Sequence, residues 1–500
     1  MVSSFDVRPL TASRRRTLEW IVLALALWRV LAVRWTPIVT EDSLGYLERA
    51  RSPLSTGFVV DGYRQIGYPL WLWFVEHTTA PLGFDRLFAG SSSPSGCCWC
   101  WRRSRCGGYF GCGRRPLWFV TSAGMVVTSN FVLNEGVLFS LAMLAAAAVL
   151  GAATTVAPLT GVRPPARPGR WLVVAMAVVS VATVLKLQYV LLGLPIVPTL
   201  WALQPRGLRM KPVLAAGGAM ALLLTVMVVG QTLENSREYH DPTPVSEQAH
   251  AQWWGAYRTV FHTDPETAEL SGVQRFRGDG FESFYFPLID SEPDYRVRRE
   301  LAERQIDDLF AAAGTSRARE HWKAFRGGLA GGRHDDLSFY LPPVFSGPPE
   351  TGLTINSAAR DLGTDALLDE VNDGRTPGDL TPGGVVTVVQ RVGADQRWLY
   401  PGLAVLSLLI AALGWTLGGR ERWIGPAAAL GHVLSVALLA TGFIDIQRYL
   451  APYVVASTCV GLWAIAAAAH RASVGRNDER PPAACADARP EPAAASVERR

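Results

Sequence analysis

The sequence predicts an all-α polytopic membrane protein of about ten transmembrane helices, interrupted by one extracytoplasmic α or α+β insertion. Three observations carry that prediction. Of the 500 residues, 49% are hydrophobic and only 18% are charged, whereas about a quarter of a soluble domain is charged. The apolar residues are gathered into runs close to the roughly 20 residues needed to cross a bilayer. Basic residues then cluster between alternate runs, as the positive-inside rule expects of cytoplasmic loops. The net charge of +5 is small for this length and gives nucleic acid no footing.

Apolar runs fall near 18–36, 66–82, 117–133, 135–158, 171–185, 187–203, 213–231, 398–418, 424–443 and 448–469. The first follows Arg14-Arg15-Arg16, and no small-residue cleavage site comes soon after it, so it reads as a retained span. Further basic clusters stand at Arg163, Arg167 and Arg170, at Arg206, Arg209 and Lys211, at Arg420 and Arg422, and at Arg471 and Arg476. Placing all of them in the cytoplasm puts both termini inside and the loops 37–65, 232–397 and 444–447 outside. The expected organisation is an N-terminal transmembrane domain 1–231, an extracytoplasmic loop domain 232–397, C-terminal transmembrane helices 398–470 and a disordered cytoplasmic tail 471–500 rich in Ala, Pro, Glu and Arg.

Within the insertion, Asp294 to Ala313 has helical spacing of Leu301, Ile306, Leu309 and Phe310, and Gly314 follows as a stop. Trp253, Trp254 and Tyr257 fit a sugar platform, a membrane-surface contact or the core of the loop domain. His334-Asp335-Asp336, with His250 and His262, lacks the regular spacing of a metal site, and solvated loop charges are the better reading. No cofactor is indicated, and the need for a divalent metal is left open.

Five of the seven cysteines lie between Cys97 and Cys112. Zinc ligation by Cys97, Cys100, Cys106 and Cys112 lacks a second Cys-x-x-Cys pair or a neighbouring His. A disulfide cluster conflicts with the cytoplasmic placement of this loop. The favoured reading is that 90–116 is a frame-shifted stretch: out-of-frame reading of GC-rich code yields this mixture of Arg, Gly, Cys, Ser, Pro and Trp. An active product is then itself in question.

The candidate chemistry gathers at the outer face. Glu41 and Asp42 follow the first span. Lys186 separates two apolar runs that turn back there, Arg448 opens the last span, and Glu135 opens another. Ionisable groups near the hydrocarbon are costly and tend to mark function. Each has a plainer reading. Arg448 reads equally as an interfacial anchor, Glu135 as a residue placed to suit a helix dipole, and Asp42 as the N-cap of a helix from Ser43 to Arg51. Lys186, inside a long apolar stretch, needs a partner or water. Together, one acid and two cations suit transfer from a lipid phosphate to a hydroxyl. The carboxylate takes the acceptor's proton, and the cations stabilise charge growing on the departing phosphate.

Four short pieces carry a family resemblance: Glu41-Asp42-Ser-Leu-Gly-Tyr46, Arg64-Gln-Ile-Gly-Tyr-Pro-Leu70, Asn134-Glu135-Gly-Val-Leu-Phe139 and Arg448-Tyr-Leu-Ala-Pro452. The chain resembles the GT-C membrane glycosyltransferases, in particular the protein-mannosyltransferase and aminoarabinose-transferase-like group. The pieces are scattered over 20–205 and 400–470, and 90–116 departs from the family's apolar, helical pattern. The resemblance implies a GT-C fold in the cell membrane with an outward-facing site, a polyprenyl-phosphate-linked sugar as donor, and an envelope glycan, lipid or protein as acceptor. It places the catalytic carboxylate on Asp42, with Glu41 as its substitute, and sets Lys186 at the donor phosphate, where the clustering of charges adds Arg448. Tyr46, Arg64 and Glu135 are further candidates. The competing class is a transporter or lipid flippase using the same charges as a path. Such proteins show internal repeats, and none relates 1–231 to 398–469. A third class is an assembly protein whose outer domain does the binding.

Overall fold

In the computed structural model, residues 46, 50, 65–79, 134–159, 164–206, 210–238, 240, 242–244, 248–261, 294–330, 399–443 and 447–478 are described. The cysteine-rich segment 90–116 and the apolar runs 18–36 and 117–133 lie outside them.

Every regular element among the described residues is helical. In chain order these are α1 (Gly67–Thr79), α2 (Asn134–Ala153), α3 (Pro168–Leu185), a 3-10 segment (Leu187–Gly193), α4 (Ile196–Leu203) and α5 (Met210–Glu238). After them come α6 (Gln248–Phe261), α7 (Tyr295–Ala312), α8 (Arg317–Leu329), α9 (Leu399–Ala412), a 3-10 extension (Leu413–Leu417), α10 (Ile424–Thr441) and α11 (Gln447–Asp478). Four stretches are long and apolar enough to cross a membrane: Pro168–Leu185, Met210–Arg237, Glu421–Thr441 and Tyr449–Ala472. The shorter apolar helices reach further than their residue counts suggest, because a 3-10 residue rises about 2.0 Å against 1.5 Å in an α-helix. The 14 residues of α9 with the five of its extension span about 31 Å, matching a hydrocarbon core of about 30 Å.

Lipid gives apolar helices little hydrophobic reason to associate, so close packing through small side chains does that work. The inner face of α2 is accordingly lined by alanines, with Ala142, Ala145, Ala148, Ala152 and Ala153 all buried. The Tyr449–Ala472 stretch of α11 is the most enclosed, 72% buried, and Met210–Arg237 of α5 the least, at 11%. This makes α11 the axis of the bundle and α5 a peripheral helix.

The helix directions sort the ends of the bundle. Arg471, near the end of α11, donates to the carbonyls of Leu417 and Val156 and pairs with Glu421. Arg420 donates to the Trp201 carbonyl at the end of α4, and Arg422 lies 4.4 Å above the Trp415 ring. Arg167 and Arg170 stand at the start of α3, where Trp171 meets Gly151 of α2. Arg167, Arg170, Arg420, Arg422 and Arg471 therefore gather at one end, called here the basic end. The break between α3 and the next 3-10 segment lies at the other, with the end of α10 and the start of α11.

Two readings of the sequence are sharpened. Helix α11 continues to Asp478, so it runs into the first residues of the expected tail 471–500. Of the readings open for Trp253 and Tyr257, the core of the loop domain holds. Trp253 and Tyr257 are 1% and 6% exposed, in a core with Ile306, Leu309, Phe310 and Phe443. They serve the loop domain rather than offering a sugar platform, and burial raises the pKa of the Tyr257 hydroxyl. The helix of the insertion runs as its spacing predicts, from an Asp294 side chain capping Arg296 N–H to Gly314, whose φ is +66°.

Candidate functional site

At the end opposite the basic one, α3 stops at Leu185 and Lys186 adopts an extended backbone (φ −161°, ψ 116°) before the 3-10 segment begins. Lys186 thus caps a helix C-terminus, where a cation is favoured by the partial negative charge of the last carbonyls. Its Nζ lies 3.2 Å from the centroid of the Tyr449 ring, a cation–π contact with the first turn of α11. Arg448 is the preceding residue on that turn.

The same turn is stapled to the 3-10 segment from below. The Tyr189 hydroxyl donates to the Tyr449 carbonyl over 3.1 Å, and the Tyr453 hydroxyl donates to the Gln188 carbonyl over 2.6 Å. The two rings stack 5.4 Å apart. Pro452, inside α11, has no N–H for the Arg448 carbonyl. The first turn of α11 is thus fixed largely by what it touches, and those contacts run to the residues around Lys186.

The first-loop region arrives from the other side. A Cβ on Gly67, the first residue of α1, would stand 2.1 Å from the Val184 carbonyl oxygen and 2.8 Å from the Leu185 nitrogen. Glycine is therefore required for α1 to begin against the end of α3. The next residue, Tyr68, is fully buried and meets Tyr46 edge-to-face with centroids 5.0 Å apart. The path Tyr46–Tyr68–Gly67–Val184 ends two residues before Lys186.

These contacts join Lys186 to the turn that carries Arg448, and link Tyr46, through Tyr68 and Gly67, to the end of α3 that precedes Lys186. Glu135 stands in the first turn of α2, whose far end meets Trp171 at the basic end; its backbone therefore lies at the Lys186 end. The side chains of Glu135 and Arg448 are outside the described residues, as are Glu41, Asp42 and Arg64 altogether. Of the loop residues weighed for metal, the side chain of His250 and all of His262, His334, Asp335 and Asp336 lie outside as well. Among the described residues no group of three His, Cys, Asp or Glu could hold a metal ion.

Sequence reasoning passed over several members of this arrangement. Tyr68 and Tyr449 each lay inside a quoted motif, four positions from Arg64 and one from Arg448. Gln188 places an amide nitrogen in the interior with no hydrogen-bond partner among the described residues, and fully buried His432 on α10 does the same with both ring nitrogens. The His432 ring lies 6.4 Å from that of Tyr453, one helical turn below Tyr449. A histidine inside an apolar run was the available signal.

No family model and no curated protein matches the chain. Among solved structures it is similar to the crystal structure of ArnT from Cupriavidus metallidurans in the apo state, at 16% identity, covering 92% of this chain and 78% of that one. The TM-score is 0.30, too low for the likeness to support an inference about fold or site.

Proposed function

We propose that this chain is a membrane glycosyltransferase of the GT-C kind, moving a sugar from a polyprenyl-phosphate donor to an acceptor hydroxyl on the outer side of the cell membrane. The single observation that carries the reading is the contact between Lys186 and Tyr449. It sets a lysine at one helix C-terminus against the first turn of another helix, beside Arg448. A helix N-terminus and two cations are what a lipid phosphate requires.

In this reading Asp42 is the general base that accepts the proton of the acceptor hydroxyl, with Glu41 as its substitute. The hydroxyl oxygen attacks the anomeric carbon as the bond to the phosphate oxygen breaks. Lys186 and Arg448 stabilise the charge left on the polyprenyl phosphate. Tyr46 lies four residues beyond Asp42, and its packing on Tyr68 supports placing the acid near Lys186. Glu135, Arg64 and Tyr46 would line the acceptor side. The acceptor is an envelope glycan, lipid or protein. Basic clusters at the far end of the bundle support cytoplasmic termini and an outward-facing site.

The test is sugar transfer in vesicles reconstituted with the full chain and a polyprenyl-phosphate sugar. Asp42→Asn should abolish transfer while leaving the protein monodisperse in detergent. Full transfer by that variant would remove Asp42 from the mechanism, and no transfer by the parent chain with any lipid-linked sugar would remove the activity.

A further inference from the structure

Helix α8 of the insertion has two faces with different partners. Its inner face is formed by Glu320, Ala324 and Gly328, spaced by four and all buried. This face packs on a membrane-crossing helix, not only on its own domain. The His321 ring lies against Phe443 with centroids 4.3 Å apart and contacts the Thr441 carbonyl, at the end of α10. Seven residues on, a Cβ at Gly328 would stand 2.7 Å from Val436 and 3.5 Å from Leu450. Val436 is five residues, about 7.5 Å, below Thr441 along α10. The helix therefore descends obliquely beside the bundle, from the end of α10 to the level of the first turn of α11.

The opposite face carries Arg319, Trp322, Lys323 and Arg326, at i, i+3, i+4 and i+7. Trp322 is 61% exposed, and its ring pairs with Phe325 at 5.8 Å. Lys323 pairs with Glu320 at 3.2 Å, and Arg317 braces α7 through Asp307. Arg319 and Arg326 are exposed and make no ion pair among the described residues. An exposed tryptophan against a half-buried phenylalanine, beside a row of cations on a helix pinned to the end of a transmembrane span, has the composition of an element lying in the headgroup layer.

We infer that α8 is an interfacial helix that binds anionic lipid headgroups, with Trp322 and Phe325 entering the acyl boundary and Arg319 and Arg326 holding lipid phosphates. Charge complementarity selects that occupant: the face carries guanidinium groups with no ion pair among the described residues, and such groups form paired hydrogen bonds with phosphate oxygens. The inference rests on membrane embedding and is independent of sugar transfer.

The full chain, with a photoreactive benzoylphenylalanine in place of exposed Trp322, is reconstituted into phosphatidylcholine vesicles with and without an equal amount of phosphatidylglycerol. Irradiation should give lipid adducts in both, with phosphatidylglycerol over-represented in the mixture. Arg319→Ala with Arg326→Ala should remove that excess, by about fivefold per arginine at low salt, and Arg319→Lys with Arg326→Lys should restore most of it. Adducts only to protein, including a second copy of the chain, would overturn the inference. So would lipid adducts in proportion to composition, or an excess that survives the double alanine variant.

Discussion

Substituting Gly67 by alanine tests the geometry of the site with one methyl group. The new Cβ would stand 2.1 Å from the Val184 oxygen, 2.5 Å from its carbonyl carbon and 2.8 Å from the Leu185 nitrogen. All three atoms are backbone, so no rotamer change relieves them. An ordinary carbon–oxygen contact is about 3.3 Å, so the start of α1 must move by about 1.2 Å or α3 must yield by as much. Overpacking of this kind costs about 1–3 kcal/mol, and a displacement of about 1 Å can lower a reaction rate roughly 100-fold. The matched control is Gly151→Ala at the basic end. There the three atoms nearest the Cβ all belong to the Trp171 side chain, the first at 2.8 Å, and that indole can shift. Melting in detergent and transfer in vesicles separate the effects. Both variants should lose stability, and only Gly67→Ala should lose transfer well beyond that loss. Unchanged melting and transfer for Gly67→Ala would show that α1 does not abut α3 as described.

Other perturbations bear on single contacts. Lys186→Met should lower transfer by about 100- to 1000-fold, the usual effect of removing one donor to developing charge, and Lys186→Arg should recover part of it; transfer within threefold of the parent would dissociate Lys186 from the phosphate. His321, docked against Phe443, has its pKa lowered, chiefly by burial and also by the Arg317 charge, with the Thr441 carbonyl acting in the opposite direction. A histidine held below its unfolded pKa favours the neutral form. Its contribution is therefore complete above the ordinary histidine value of about 6.5 and is lost as pH falls through the window below it. Limited proteolysis of the insertion should accelerate as pH drops through that window, and His321→Phe should flatten the dependence; an unchanged pH profile in that variant would assign it to another group.

Much of the bundle was legible because lipid imposes a single rule. Backbone polar groups must be satisfied within the segment, so apolar runs become helices, and clustered arginines mark one end. That reasoning found the turn at Lys186, where an isolated lysine in a hydrophobic stretch admitted few other readings. It could not find the 3-10 geometry after Lys186, which reflects the packing of Tyr189 and Tyr453 rather than any local propensity. Nor could it assign Trp253 and Tyr257, because exposed platform and buried core draw on the same residue types. Their partner Phe443 is far away in sequence and belongs to a different domain by composition.

Phe443 shows why the insertion and the membrane bundle should not be treated as separate modules. It is a non-glycine residue with φ +57°, a left-handed conformation that costs about 1–2 kcal/mol. The backbone there is fixed from one side by the turn bonds of Gly442 and Phe443 to Leu439 and Ala440. From the other it is fixed by the side chain, which sits between Phe310 and His321. The strain is thus held by packing from α7 and α8 on the end of α10. Because Gly328 of α8 also reaches Leu450, the insertion touches the residue next to Tyr449, the partner of Lys186. Loosening the Phe443 contact should therefore be felt at the first turn of α11, which gives the loop domain a physical route to the site without contributing a residue to it.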